Sequence, residues 1–341
     1  MSLQNFSQRK KDHINLALDP KSQSLVDAGF NKIHLIHKAL PEINLSEVEL
    51  KTQVLGHEFS SPHFVSSMTA GHEDSFNINL RLAEVAYAKN WLMAVGSQRR
   101  ELTDPLAANE WSLIRAQVPD IKLVSNIGIS ELIHQPIEKV LKIVDNIQAI
   151  GIFVHLNPLQ EAFQKEGQPE FSGGLKALET FVKKSQVPVL VKEVGFGIDP
   201  ELISKLFEMG VHVVDVTGHG GTHWAQIEAL RYNENEMQNA ASSAFNDWGY
   251  STVDCLLASQ EIVLFNQIWA SGGIRNGVDS AKCLALGARA VGIAQPLMKA
   301  AVMNEESVVR VMEKFDYELK VAMFCTGIKQ IADFLHQKVW K

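Results

Sequence analysis

The chain of 341 residues alternates between two patterns: a short apolar run rich in β-branched residues, then a longer stretch with apolar positions three and four apart. The runs are "FVSSM" from Phe64, "LMAVG" from Leu92, "KLVSNIG" from Lys122, "IFVHLN" from Ile152, "VLVKEVG" from Val189, "VVDVTG" from Val213, "IWASGG" from Ile268 and "AVGIAQ" from Ala290. Such runs predict buried parallel strands. The stretches between them, among them "NINLRLAEVAYAKN", "PIEKVLKIVDNIQAI", "GLKALETFVKKS", "PELISKLFEMG" and "NGVDSAKCLALGA", predict amphipathic helices, several opening at Asp or Pro and closing at Gly. Eight strand–helix units in a row predict an α/β fold of the (β/α)8, or TIM barrel, type. Residues 1–58 precede it as an N-terminal arm or extension, and about 304–341 read as amphipathic helices packed outside. Neither segment has the pattern of a separate domain, so 1–341 is expected to form a single barrel domain.

In such a barrel the chemistry gathers where the strands end. Here the ends are small or polar: Ser67 and Thr69, Gly96 and Ser97, Asn126, Asn157, Lys192, Thr217 and Gly218, Gly272 and Gly273, Ala294 and Gln295. The fourth end, "HLNPLQE", is the densest. His155 and Asn157 share a strand face, and Gln160 and Glu161 follow on the loop. Four polar groups would lose hydration there for no packing gain, which predicts a shared pocket. Lys192 stands inside an apolar strand, and Glu193 beside it points to the opposite face; an anion is needed, and a cofactor that becomes anionic when reduced would suit.

Other motifs keep two readings each. The glycines of "TGHGGTHW" and "SGGIRNG" suit phosphate cradles or tight turns. Arg9 or Lys10 falls one helical turn from His13 if "SQRKKDH" is helical, but a solvated basic run explains the same residues. Ser97 and Arg99 of "GSQRR" follow a strand end directly, where a guanidinium can grip the oxyanions of a diphosphate. Glu161 either starts a surface loop or holds Mg²⁺ together with substrate phosphate oxygens. His219 and His223 lie four apart across glycines that disfavour a regular helix, a poor arrangement for a transition metal.

Composition narrows the setting: 46% hydrophobic and 21% charged residues with mean hydropathy near zero describe a globular chain. No apolar stretch approaches the roughly 20 residues of a membrane span, and the N-terminus is polar rather than signal-like, so a cytoplasmic protein is expected. A net charge of −7 argues against nucleic acid or an anionic membrane as partner. Cys255, Cys283 and Cys325 match no metal spacing and read as reduced, packed thiols.

Taken in order, "RKKDH", "SMTAG", "GSQR", "SNIG", "HLNPLQEA", "VKEVG", "DVTGHGGTHWAQIE" and "ASGGIRNGVDSAKCLALGA" resemble the FMN-dependent type II isopentenyl-diphosphate isomerases over nearly the whole chain. The resemblance implies interconversion of isopentenyl and dimethylallyl diphosphate, FMN reduced by NADPH, Mg²⁺, and a homotetramer or homo-octamer. It implies FMN contacts from Ser67, Met68, Thr69, Ser97, Asn126, Lys192, Thr222, the Gly272, Gly273, Ile274 and Arg275 backbone, Ala294 and Gln295. Arg9, Lys10, Ser97, Gln98 and Arg99 would take the diphosphate, and His13 would complete the substrate pocket with His155 and Asn157. Gln160 would touch the reacting end, forming a catalytic set with His155 and Asn157, and Glu161 would hold Mg²⁺. Ala70, Lys165 and His223 depart from the family pattern and leave flavin fit and loop shape open. Two rivals remain. FMN-dependent 2-hydroxy acid oxidases and dehydrogenases carry an "HGGRQ"-like motif, of which this chain keeps His219 but has Thr222 in place of arginine. A non-catalytic barrel binding flavin or prenyl diphosphate would need the ligand residues without the reacting ones.

Overall fold

The computed structural model describes residues 3–70, 73–233, 235–262 and 267–341. Eight strands, β1 (His63–Val65), β2 (Leu92–Ala94), β3 (Leu123–Gly128), β4 (Gly151–His155), β5 (Val189–Lys192), β6 (Val213–Asp215), β7 (Ile268–Trp269) and β8 (Val291–Ile293), pair in parallel in the cyclic order β8, β1, β2 through to β7. A parallel bridge between Ala270 and Val291 closes the ring. The five quoted helical stretches fold as Glu73–Lys89, Ile137–Asn146, Gly174–Lys184, Pro200–Glu208 and Gly277–Ala285. Local chemistry sets their starts. Asp199 accepts from the Leu202 N–H ahead of Pro200, and Asn276 accepts from the Asp279 N–H.

The barrel interior has two layers that differ in chemistry. Phe64, Val124, Phe153, Leu190, Val213 and Trp269 form a buried apolar layer, in which the rings of Phe64, Phe153 and Trp269 lie 5.0 to 6.5 Å apart. Two residues further along the same strands, on the same face, stand Ser66, Asn126, His155, Lys192, Asp215 and Ser271, all polar. The interior thus changes from dry to polar within one strand repeat. Gly292 makes room for the lower layer, because a Cβ there would lie 2.6 Å from Phe64 Cζ.

The N-terminal arm serves both ends of the barrel. Its hairpin, Thr52–Val54 paired with His57–Phe59, contributes Val54 and Phe59 to the apolar layer and plugs the floor. Its helix, Leu3–Leu18, places Arg9, Lys10, His13, Ile14 and Ala17 along the cleft at the opposite end. At the C-terminus the expected set of helices is one long helix, Glu305–Thr326, capped by Asn304 and ended by Gly327 at φ 74°, then a short 3-10 turn at Ile331–Leu335. The long helix packs on Gly277–Ala285 and Gln295–Met303, outside the barrel. Since Phe59 is 1% exposed, Phe59→Ala should destabilise the protein by about 3 kcal/mol. Urea unfolding measures this, and a loss of under about 1 kcal/mol would mean the hairpin is not part of the core.

Candidate active site

The strand ends surround a single cleft with about 1420 Å³ of empty space, its open mouth included. Lys192 and Gln160 both face it, and of the site residues picked from sequence all but Gln98 line it. Gln98 is a correction: it is 1% exposed and points the other way. Its carbonyl oxygen accepts from Ser125 Oγ at 2.5 Å, while its amide donates to Glu101 and to the Ile143 carbonyl. That amide ties the loop after β2 to β3 and has no reach into the cleft.

Over the mouth lies the N-terminal helix, and the solvated-run reading of Arg9 and Lys10 gives way, because both are buried against the cleft. Glu228, on the helix Trp224–Ala229 after β6, anchors the arm. It meets His13 Nε2 at 2.8 Å, accepts from Arg231 at 2.7 Å and from Gln160 Nε2 at 3.1 Å. Arg231 also meets Glu166 at 3.2 Å and Asp12 at 3.6 Å. Burial acts against the Glu228 charge, but His13 and the permanently charged Arg231 outweigh it and hold its carboxyl below the usual range. The cations opposite are under strain: burial, then the neighbouring Arg9, brings Lys10 down to about 8. An anionic ligand would relieve this.

Around the fourth strand end the polar groups engage one another. His155 Nδ1 lies 2.9 Å from Asn126 Oδ1. Burial, then the charges of Lys192, Lys10 and Arg99, pushes its pKa down to about 3, so the ring is neutral near pH 7. Asn157 Nδ2 donates to Gln160 Oε1 at 3.2 Å and to Glu161 Oε1 at 3.0 Å, and the Gln168 N–H donates to Glu161 Oε2 at 2.7 Å. Across the cleft Arg99 Nε sits 2.6 Å from Glu131 Oε1.

Lys192 ends β5 in register with Asp215 of β6. Its ammonium donates to the Glu193 carbonyl. The Glu193 carboxylate turns to the opposite face and accepts from the Val194, Gly195 and Phe196 N–H groups at 2.6 to 2.8 Å. Asp215, fully buried, accepts from Ser271 Oγ at 2.7 Å. Burial lowers the Lys192 pKa, and the carboxylates of Asp215 and Glu193 oppose that shift.

The cleft suits a flavin. Among the described residues, Ser67 Oγ, Thr69 Oγ1 and Asn157 Oδ1 are buried polar atoms of its lining with no hydrogen-bond partner in the chain, which is costly without a bound polar group. Gly272 and Gly273 at φ 94° and 71° shape the wall after β7, where the Arg275 guanidinium donates to the Ile274 carbonyl and the Gln23 amide oxygen. A divalent cation would find Glu161 and the unpartnered Asn157 Oδ1 in the lining. No cluster of three or more His, Cys, Asp or Glu side chains suited to a metal occurs among the described residues. His223 caps the helix Trp224–Ala229 through Nδ1 and faces the Phe245 carbonyl through Nε2 at 3.0 Å. The departure at His223 is therefore structural.

Sequence reasoning missed Glu228, Asp215, Ser271, Glu131 and Trp224. Asp215 carried the signal that picked out Lys192, a charge inside an apolar strand. Glu228 and Glu131 carried none, since an acid on a helix normally faces solvent.

Residues 153–341 match the family profile described as FMN-dependent dehydrogenase. The isopentenyl-diphosphate delta-isomerase of Bdellovibrio bacteriovorus is 45% identical over 338 residues, covering 98% of this chain and 97% of the relative. That of Legionella pneumophila strain Corby is 43% identical, covering 96% of each, and that of Oceanobacillus iheyensis 41%, covering 94% and 92%. A solved (S)-mandelate dehydrogenase superposes with a TM-score of 0.67 at 17% identity over 95% of this chain and 97% of that one, which speaks to the barrel alone. With such identity along nearly its full length and the flavin-barrel profile over its larger part, the chain belongs to the FMN-dependent, type II isopentenyl-diphosphate delta-isomerase family.

Proposed function

We propose that this chain interconverts isopentenyl and dimethylallyl diphosphate, with reduced FMN and Mg²⁺ bound in the cleft and NADPH as reductant. One observation carries the reading: the buried cations Arg9 and Lys10, with Arg99, share a single cleft with Lys192, Gln160 and the unpartnered polar atoms of Ser67 and Thr69. Shifting the double bond adds a proton at one carbon and removes one from another, with no net redox change. When bound and reduced, FMN supplies a protonated N5 and an electron-rich ring.

The chain's own residues supply charge and orientation. Lys192 offers a positive charge to a reduced, anionic ring, and Ser67, Met68, Thr69, Ser97, Asn126, Thr222, the Gly272 to Arg275 backbone, Ala294 and Gln295 hold the cofactor. Arg9, Lys10, Ser97 and Arg99 neutralise the diphosphate through charge-assisted contacts, beside His13. Glu161, aided by Asn157 Oδ1, would hold Mg²⁺ against the same phosphate oxygens. Gln160 has an amide with no useful pKa; fixed by Glu228 and Asn157, it orients the reacting end rather than acting as acid or base. His155, neutral, presents an uncharged ring to the substrate. We place the reaction in the cytoplasm, in a homotetramer or homo-octamer whose subunits each act as one barrel domain.

The 2-hydroxy acid oxidase reading fares worse, since it needs an arginine where Thr222 stands and a basic histidine in the cleft. His219 is absent from the lining and turns toward the Asp27 backbone. A purely binding barrel would have no use for the arranged Asn157, Gln160 and His155 set.

Anaerobic incubation with FMN, NADPH, Mg²⁺ and isopentenyl diphosphate should yield dimethylallyl diphosphate, while lactate and glycolate should not be oxidised; the reverse pattern would replace this reading with the oxidase. Glu161→Gln should lose activity at limiting Mg²⁺ and recover in part when Mg²⁺ is raised, and unchanged activity at limiting Mg²⁺ would remove Glu161 as the ligand. His155 also predicts an acid dependence of stability. Its folded pKa of about 3 lies below the ordinary 6.5, so the unfolded chain takes up the proton first, and stability is lost as pH falls from 6.5 toward 3. His155→Asn should flatten this limb in urea unfolding at several pH values. An equal slope in both proteins would show that folding does not depress the His155 pKa.

A further inference from the structure

Arg99 already has an anion. Glu131, in the first turn of the helix Ile129–His134 after β3, places Oε1 2.6 Å from Arg99 Nε, and its side chain is only 8% exposed. A second nitrogen of the guanidinium, Nη2, donates to a neutral group, Gln168 Oε1, at 3.0 Å. Glu131 Oε2 sits close over Gly128, where a Cβ would lie 2.4 Å from it. Both Glu131 and Arg99 line the cleft. A ligand phosphate that takes Arg99 therefore has to share the guanidinium with Glu131, and it then sits beside a buried carboxylate of its own sign.

We propose that Glu131 is an internal competitor for the Arg99 guanidinium, a positioning residue that loosens the cleft's hold on the diphosphate. The inference rests on the reading of Arg99 as a diphosphate ligand. Its logic follows from the reaction: substrate and product carry the same diphosphate, so a grip on that group is equal before, during and after the chemical step. Such uniform binding lowers KM without raising kcat and slows product release. A carboxylate that competes for Arg99 weakens this uniform part, while it keeps the arginine aligned and offsets the repulsion among Arg99, Arg9 and Lys10 when no ligand is present.

The test is titration calorimetry of inorganic pyrophosphate into the FMN-loaded full chain in the presence of a chelator. Glu131→Gln keeps the shape and removes the charge, and should bind pyrophosphate about tenfold more tightly, the effect of one lost charge-assisted contact. In the isomerase assay the same variant should lower KM, with kcat unchanged or reduced. Glu131→Ala must move pyrophosphate affinity in the same direction, and the flavin absorption spectrum and melting temperature report whether each variant is folded. Unchanged or weaker pyrophosphate binding in folded Glu131→Gln, with wild type binding and Arg99→Gln losing it, overturns this inference alone. Should wild type and Arg99→Gln bind pyrophosphate equally, or neither bind it, the reading of Arg99 falls and this inference with it.

Discussion

Glu228 has no exposed surface, yet it is the point where the mouth of the barrel is fastened. His13 reaches it from the N-terminal helix, Arg231 from the turn after the Glu228 helix, and Gln160 from the short helix Pro158–Phe163 that follows β4, where the sequence suggested a loop. A buried carboxylate stripped of partners would be costly, and one so well partnered resists the loss of any of them. Arg231 widens the set through Glu166 and Asp12, so the arm, the β4 loop and the β6 helix are bonded as a unit. This matters because Arg9, Lys10 and Arg99 repel one another across the cleft. The buried anion opposes that repulsion.

Below this lid the barrel interior separates two tasks within a single strand repeat. The apolar layer of Phe64, Phe153 and Trp269 is plugged by the hairpin and supplies rigidity. The layer above it gives up packing for function, placing His155, Lys192 and Asp215 where desolvation changes what each can do. Because both layers belong to the same short strands, the polar groups inherit their positions from the core rather than from flexible loops.

Much of this was legible in the sequence for a physical reason. Alternation with a period of two marks strands, and a polar residue in an apolar run stands out, so Lys192, His155 and Asn157 declared themselves. That period does not reach Gln98, which lies beyond the end of β2 and leads into the 3-10 turn Arg99–Leu102, so its inward turn could not be read from strand alternation. Periodicity has no power over residues whose role depends on a distant element. Glu228 and Arg231 lie on a helix and on the turn that follows it, and only the seated arm shows what they are for. Arg9 and Lys10 carried two readings until tertiary burial decided between them. Along the C-terminal segment the helical pattern was sound, and what it lacked was a break: with no Gly or Pro between Glu305 and Thr326, one continuous helix forms.

The distribution of charge explains why a redox cofactor serves a reaction without net redox change. Arg9, Lys10 and Arg99, which we propose take the diphosphate, and Lys192, which we propose faces the flavin, all line one cleft. Between them the chain offers two amides, Asn157 and Gln160, and a histidine whose pKa is pushed to about 3. A general acid or base works best with a pKa near the operating pH, and none of these three has one. Burial first, and then the charges of Lys192, Lys10 and Arg99, keep His155 neutral, so on the proposed function the cations that would hold substrate and cofactor also help to remove a nearby proton donor. On the proposed function proton transfer would then fall to the cofactor, and the side chains at the reacting end would serve orientation.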